Sequence, residues 1–305
     1  MGNRLILFLL VILSSCGSGE NEHTEKADRL RIVATTGMIG DAITNIVGDS
    51  AEVTALMGPG VDPHLYKATQ GDLRKLTEAD VIFYNGLHLE GKMGEVLEKL
   101  GRIKPVIAVS ENVESTQLRR VEEFNDSYDP HIWFDVSLWK DAVQTTSTEL
   151  QRLDGKNAAY YDKNTTMFQA RLDSLHDWVQ REISTIPKAQ RVLITAHDAF
   201  GYFGSAYDIE VRGLQGISTL SEYGLRDVSD LVNYITGNRI KAVFVETSVS
   251  EKAINAVVEG CRKRGFEVRI GGHLYSDAMG TRNTREGTYI GMVEANVKTI
   301  VNALR

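Results

Sequence analysis

The strongest constraint on this chain is a rhythm of short apolar runs. Runs rich in β-branched residues at 31–35, 53–56, 81–84 and 106–109 each precede a longer amphipathic stretch, and the alternation returns at 191–195, 209–212, 242–245 and 267–270. Strand followed by helix, repeated, specifies parallel strands with helices on both faces. Two such series specify an α/β protein of two lobes, each a parallel sheet flanked by helices. Between the series, from about residue 136, no strand signal appears. Beyond Asp154-Gly155, residues Leu172, Leu175, Trp178, Val179 and Ile183 keep a three-to-four spacing up to the break at Pro187. That spacing predicts one helix of roughly thirty residues, well above the mean of ~11. A helix of this length reads as a stiff connector between the lobes, which restrains large hinge motions. The expected division is a leader at 1–16, a tether at 17–29, a first lobe at 30–156, the connector at 157–187 and a second lobe at 188–305.

The amino terminus reads as an address. Arg4 precedes the apolar run 5–13 and the small-residue junction Leu13-Ser14-Ser15-Cys16, the layout of a secretory signal. The run is about half the ~20 residues of a membrane-spanning helix. Its ending resembles a bacterial lipobox, in which the cysteine becomes the lipidated first residue, and Gly17-Ser18-Gly19-Glu20 beyond it reads as a flexible tether. With Cys16 acylated, Cys261 is the remaining thiol of 2 cysteines, so no disulfide within the chain is expected. Cys261 falls in a helical pattern without a metal-ligand partner nearby and reads as a buried structural cysteine.

The formal net charge of −7 argues against nucleic acid as a partner. The nearest thing to a basic face is Arg119-Arg120, and Glu122 and Glu123 flank it. Cations suit such a surface better than phosphates.

Of 7 histidines, two occupy the same tripeptide, Asp62-Pro63-His64 and Asp129-Pro130-His131, where the proline holds the backbone at a loop mouth. His197 follows the strand at 191–195, and Asp277 follows a later one. Ligand sites of open parallel sheets lie at such carboxyl ends. Three imidazoles and one carboxylate make a four-ligand set for a divalent ion in the cleft between lobes. The four are each more than sixty residues from the next, so only the fold assembles them. Spacing alone suits a metal site and ordinary core or surface histidines alike.

The strings Gly60-Val61-Asp62-Pro63-His64-Leu65-Tyr66, Asn85-Gly86-Leu87-His88-Leu89-Glu90, Asp129-Pro130-His131-Ile132-Trp133-Phe134-Asp135, Thr195-Ala196-His197-Asp198-Ala199-Phe200-Gly201, Leu214-Gln215-Gly216-Ile217-Ser218-Thr219 and Phe244-Val245-Glu246-Thr247-Ser248 resemble the TroA-type zinc/manganese-binding lipoproteins. These are solute-binding components of metal ABC transporters. The resemblance runs in unbroken order from about Arg31 to Arg305. It implies two lobes joined by a long helix, with one buried Zn²⁺ or Mn²⁺ held as cargo by His64, His131, His197 and Asp277. Related manganese receptors commonly carry Glu at the third position, so His197 moves this site toward zinc. The His-rich loop of dedicated zinc receptors is absent from 110–129, which instead holds Glu111, Glu114, Glu122, Glu123, Asp126 and Asp129.

Metal-bound imidazoles need acceptors for their second N–H. Asp62, Asp129, Asp198 and Glu246 are the candidates, each equally readable as a turn cap or surface charge. His88 resembles a packing position, His176 reads as solvated on the connector, His23 belongs to the tether, and His273 is a weak further ligand candidate. The expected function is capture of the ion outside the cytoplasmic membrane by a monomer anchored through Cys16. It would deliver the ion to a membrane permease driven by a cytoplasmic ATPase, without catalysis. The alternatives are a metal-dependent surface adhesin and a metallohydrolase with Glu246 or Asp198 as base. For release, opening of the loop bearing Asp277 is the expected movement.

Overall fold

The computed structural model describes residues 29–121 and 127–305. The leader with Cys16, the tether with His23, and Glu122, Glu123 and Asp126 lie outside them.

Period-two alternation explains how each sheet is covered. In β1 (Leu30–Ala34) Ile32 and Ala34 face one apolar cluster and Val33 the other, and in β3 (Val81–Tyr84) Val81 and Phe83 are separated in the same way from Ile82. With β2 (Ala51–Ala55) and β4 (Val106–Ala108) they make a parallel sheet in the order β2-β1-β3-β4, Ile32 standing between Val53 and Val81. Helices α1 (Gly37–Val47), α2 (Gln70–Glu78) and α3 (Gly94–Gly101) complete this layer.

A feature absent from the strand rhythm follows. β5 (Arg120–Val121) and β6 (Ser127–Tyr128) pair antiparallel, with Arg120 opposite Tyr128. These pieces are too short to leave a periodic signature. Next come α4 (Val136–Leu153), whose first turn Asp135 caps by accepting from the N–H groups of Ser137 and Leu138, and the long helix α5 (Ala158–Ser184).

The second lobe repeats the plan with β7 (Val192–His197), α6 (Gly201–Tyr207), β8 (Glu210–Gln215), α7 (Leu225–Asn238), β9 (Ala242–Glu246), α8 (Lys252–Lys263), β10 (Arg269–Leu274) and α9 (Tyr289–Leu304). β7 pairs parallel with β8, and β9 with β10, while β7 lies beside β9. Leu193, Ala242 and Phe244 face inward, and Ile194, Val243 and Val245 face the opposite cluster, which also buries the free thiol of Cys261.

The inward clusters of the two lobes are one. Ile32, Phe83, Leu193 and Phe244 belong to the same apolar core, closed by the α5 stripe Tyr161, Phe168, Leu172, Leu175, Val179 and Ile183. α5 packs on α1 and α4 from the first lobe and α9 from the second, so it is a shared spine as well as a link. A close-packed core shared by both lobes resists continuous deformation between them. No helix among the described residues is long and apolar enough to cross a membrane.

Candidate metal centre

Both Asp-Pro-His tripeptides fold by the same local device. The Asp62 carboxylate accepts the backbone N–H of His64 at 2.9 Å, and the Asp129 carboxylate accepts that of His131 at 3.0 Å. The loop bearing His64 then runs into α2, where Thr69 and Asp72 form a capping box that Tyr66 joins through a 2.7 Å bond to Asp72. His197 is the last residue of β7, and Asp277 lies in the loop after β10. The fold therefore gathers at strand ends what the chain disperses.

Nitrogen and oxygen atoms of His64, His131, His197 and Asp277 lie within 4.8 Å of one another, with all four residues buried. The Nε2 atoms of His64 and His131 are 3.3 Å apart. Asp277 presents Oδ1 to His131 Nε2 and Oδ2 to His197 Nε2, each at 3.3 Å, with His64 Nε2 4.0 Å away. Ligands about 2.0–2.1 Å from a tetrahedral zinc ion stand roughly 3.3 Å from each other, so three of these separations already match that geometry. Nε2 of His197 and both carboxylate oxygens of Asp277 are buried without a hydrogen-bond partner. An unsatisfied buried polar group costs about 1–3 kcal/mol, more when charged, and a bound cation removes that cost. The donor set thus fits a divalent ion of borderline softness.

The surrounding carboxylates set the electrostatics. Asp129 Oδ1 lies 2.7 Å from Nδ1 of His131, which holds the Nδ1 proton there and leaves Nε2 turned to the centre. Glu246, at the end of β9, accepts the backbone N–H of His197 at 2.9 Å and brings Oε2 to 2.5 Å from its Nδ1, a close ion pair rather than an aligned hydrogen bond. Burial holds His64 down to about 3. Burial also opposes the charged form of His131, but Asp129 and Asp277 more than offset it and lift the group to about 9. For His197, burial is likewise overcome by Glu246 and Asp277. Asp277 is held well below the usual carboxylate range, the two imidazoles outweighing its burial. A cation bound among these groups would compete with protons for the imidazoles.

Other residues fall elsewhere. Asp62 contacts no imidazole of the site by hydrogen bond: its second oxygen accepts the Thr219 hydroxyl of the opposite lobe at 2.6 Å. Asp198 hydrogen-bonds neither His131 nor His197 and instead faces Asp129 and Arg119 at longer range. Of the two readings open for Asp62, ring acceptor or turn cap, the bond to the His64 backbone N–H matches the turn cap. His88 is exposed, with φ 65°, and Leu89 is the residue buried at that point, so the packing role assigned to His88 belongs to its neighbour. His176 is half-buried rather than solvated, hydrogen-bonded to Tyr207 at 3.1 Å. His273 is exposed and pairs with Glu251 at 2.9 Å, away from the centre.

Further residues support the site through partners that were not visible in the sequence. Glu90 is buried and accepts from Thr35 and from the N–H of Asn85, both at 2.7 Å, and the Asn85 side chain holds the Pro130 carbonyl at 2.9 Å, next to His131. Gly86, at φ 83° and against Ser110, makes the turn in that support. Trp133 donates its indole N–H to the Ser276 carbonyl, and Arg119 pairs with Asp129. Trp133 stands inside a quoted motif, but no local pattern marks its partner.

Two α/β lobes closing over a buried set of three imidazoles and a carboxylate define a metal-binding receptor of the solute-binding class. A family model described as zinc-uptake complex component A, periplasmic (ZnuA), matches residues 32–303, and the chain belongs to that family. It is 50% identical over 300 residues to the manganese-binding lipoprotein MntA of Bacillus subtilis, covering 98% of this chain and 97% of that protein. It is 47% identical over 273 residues to the zinc-binding protein TroA of Treponema pallidum, covering 90% of this chain and 88% of that one. A solved structure of the periplasmic zinc-binding protein TroA from Treponema pallidum superposes with TM-score 0.88 at 46% identity, covering 90% of this chain and 99% of that chain.

Proposed function

We propose that this chain captures one divalent transition-metal ion outside the cytoplasmic membrane and delivers it to the permease of an ABC importer powered by a cytoplasmic ATPase. His64, His131, His197 and Asp277 are the ligands. The observation that carries this reading is the convergence of donor atoms from four buried residues, far apart in the chain, within 4.8 Å of one another. Lobes at 30–156 and 188–305 about a connector at 157–187 present the ion at their seam. Cys16 carries the lipid that keeps this monomer at the membrane, consistent with relatives named as lipoproteins.

Three imidazoles and one carboxylate favour Zn²⁺ in affinity while accepting Mn²⁺, and raw affinity does not by itself identify the physiological cargo. Four protein ligands close the coordination sphere, where a catalytic zinc keeps a position for water. Transport without catalysis is the reading this supports over a metallohydrolase, and nothing in the geometry favours adhesion.

The test is metal stoichiometry and competitive Zn²⁺ and Mn²⁺ affinity on the chain lacking residues 1–16, beside His64→Ala and Asp277→Ala. One ion per chain, bound at least tenfold more weakly by both variants, is the expected result. Parent-like binding in both variants overturns the ligand assignment.

A further inference from the structure

Arg119 belongs to the first lobe, yet its guanidinium lies where a side chain of residue 201 in the second lobe would be. A Cβ built on Gly201 would stand 0.9 Å from Arg119 Nη1 and 2.1 Å from Cζ, and the three atoms nearest that position all belong to this guanidinium. The same Nη1 donates to Asp129 Oδ2 at 3.0 Å, while Asp129 Oδ1 holds the ring and backbone N–H of His131. The Arg119 backbone N–H donates to the Tyr202 hydroxyl at 3.1 Å, and that hydroxyl donates to the Asp129 carbonyl at 3.0 Å. The guanidinium also sits 5.8 Å from the Tyr202 ring centroid. Arg119, Asp129 and Tyr202 therefore form a closed ring across the lobe seam, one bond away from a metal ligand. Charge points the same way. A divalent cation held among the four donors would, with Arg119, set three positive charges against the carboxylates of Asp277, Asp129 and Glu246, which contact the imidazoles of His131 and His197.

We propose that Arg119 is a positioning residue that, seated over Gly201 of the opposite lobe, holds Asp129 and through it His131 in the metal-binding orientation, so that metal affinity is coupled to contact between the lobes. This rests on the metal-receptor reading above. A small parting of the lobes at Gly201 and Tyr202 unseats the guanidinium, frees Asp129 to turn, and loosens His131 without any ligand being removed.

Gly201→Ala tests the coupling from the far side of the seam. It keeps every charged and liganding group, and its methyl meets first the flexible end of Arg119, so the guanidinium is the group pushed aside. Full-length parent, Gly201→Ala, Arg119→Ala and Arg119→Lys are titrated with Co²⁺, whose visible absorption reports ligand geometry, and then with Zn²⁺ in competition. Loss of partners that orient a metal-bound histidine costs 10–100-fold in affinity, and that range is expected for Arg119→Ala and for Gly201→Ala, with an altered Co²⁺ spectrum in both. Arg119→Lys, which keeps the charge but not the planar fork, recovers part of the loss. The Arg119→Ala/Gly201→Ala double variant binds no more weakly than the worse single one, since both changes break one contact. Parent-like affinity and spectrum in either single variant, or additive losses in the double, overturn the proposal. A parent that binds no Co²⁺ or Zn²⁺ overturns the metal-receptor reading itself. A parent that binds at His64 and Asp277 beside parent-like Arg119 and Gly201 variants overturns this inference alone.

Discussion

The indole N–H of Trp133 donates to the backbone carbonyl of Ser276 at 3.1 Å, joining the residue two places after His131 to the residue just before Asp277. Tyr289 reinforces the tie from α9, donating its hydroxyl to the Trp133 carbonyl at 2.7 Å. Ser276 is held again by Ser248 at 2.8 Å, and the side chain of Asn296 clamps both backbone groups of Tyr275. The loop bearing Asp277, whose opening is the expected release movement, is thus fastened on three sides. His64 is fastened differently. Its loop reaches the second lobe through the hydrogen bond of Asp62 to Thr219.

Trp133→Phe keeps an aromatic ring in place and removes the donor to Ser276. Leaving that buried carbonyl unpaired costs about 1–3 kcal/mol. Urea unfolding is expected to show a loss in this range, and Zn²⁺ competition a weakening of about tenfold, as the seat of Asp277 loosens. Unchanged affinity with lowered stability would mean that the tie serves the fold alone.

Thr219→Val removes the hydroxyl that holds Asp62 across the seam and keeps the side-chain shape. Metal dissociation, followed by stopped-flow mixing with a chelator, is expected to quicken several-fold with little change in unfolding stability. Comparable acceleration in a Ser248→Ala variant, which loosens the Asp277 loop instead, would count against the His64 loop as the opening part.

Asp41 accepts the backbone N–H of Tyr289 at 3.1 Å, linking α1 to α9, and burial raises its carboxyl to about 6. The folded value lies above the unfolded value of about 3.9, so the contribution of this group to stability is fully present below pH ~4 and lost as pH rises through about 6. Asp41→Asn keeps an acceptor and cannot ionise. Its melting temperature relative to the parent should therefore be more favourable at pH 7.5 than at pH 4.5, and a constant difference across that range would refute the assignment.

Metal should raise the melting temperature of the parent with the logarithm of free ion over the dissociation constant, by about 4 kcal/mol of stabilisation when free ion is a thousandfold above it. Asp277→Asn, which removes the charge at nearly constant shape, should lose most of that shift, and a chelator should reverse it in the parent. Because imidazole ligands must be free of protons, binding near neutral pH releases protons, and affinity falls with pH. Calorimetry in buffers of different ionisation enthalpy reads the proton count, and a buffer-independent enthalpy would contradict it.

The residues that need only their neighbours were legible in the chain. The β-rich runs at 31–35 and 81–84 marked strands between helices, the spacing of Leu172, Leu175, Val179 and Ile183 wrote a long helix, and Asp-Pro-His wrote a loop mouth whose backbone the proline holds. Each depends on contacts within a few residues, where covalent geometry and burial leave few choices. The four proposed ligands were also legible as residues, though their convergence was not, since each lies more than sixty positions from the next.

What tertiary structure alone decided are the selections among chemically equal candidates. Asp129 and Glu246 reach liganding imidazoles while Asp62 and Asp198 do not, and nothing in their local sequences separates an aspartate aimed at a ring from one aimed past it. Arg119 reads as one half of the nearest thing to a basic face, yet the structure seats it over Gly201 at the start of α6 and against Asp129. Leu89 takes the buried place beside His88 because the left-handed turn through Gly86, Leu87 and His88 rotates the chain there. Such outcomes depend on directions set by distant elements packing against one another to within an ångström, and hydrogen bonds and ion pairs are sensitive at that scale.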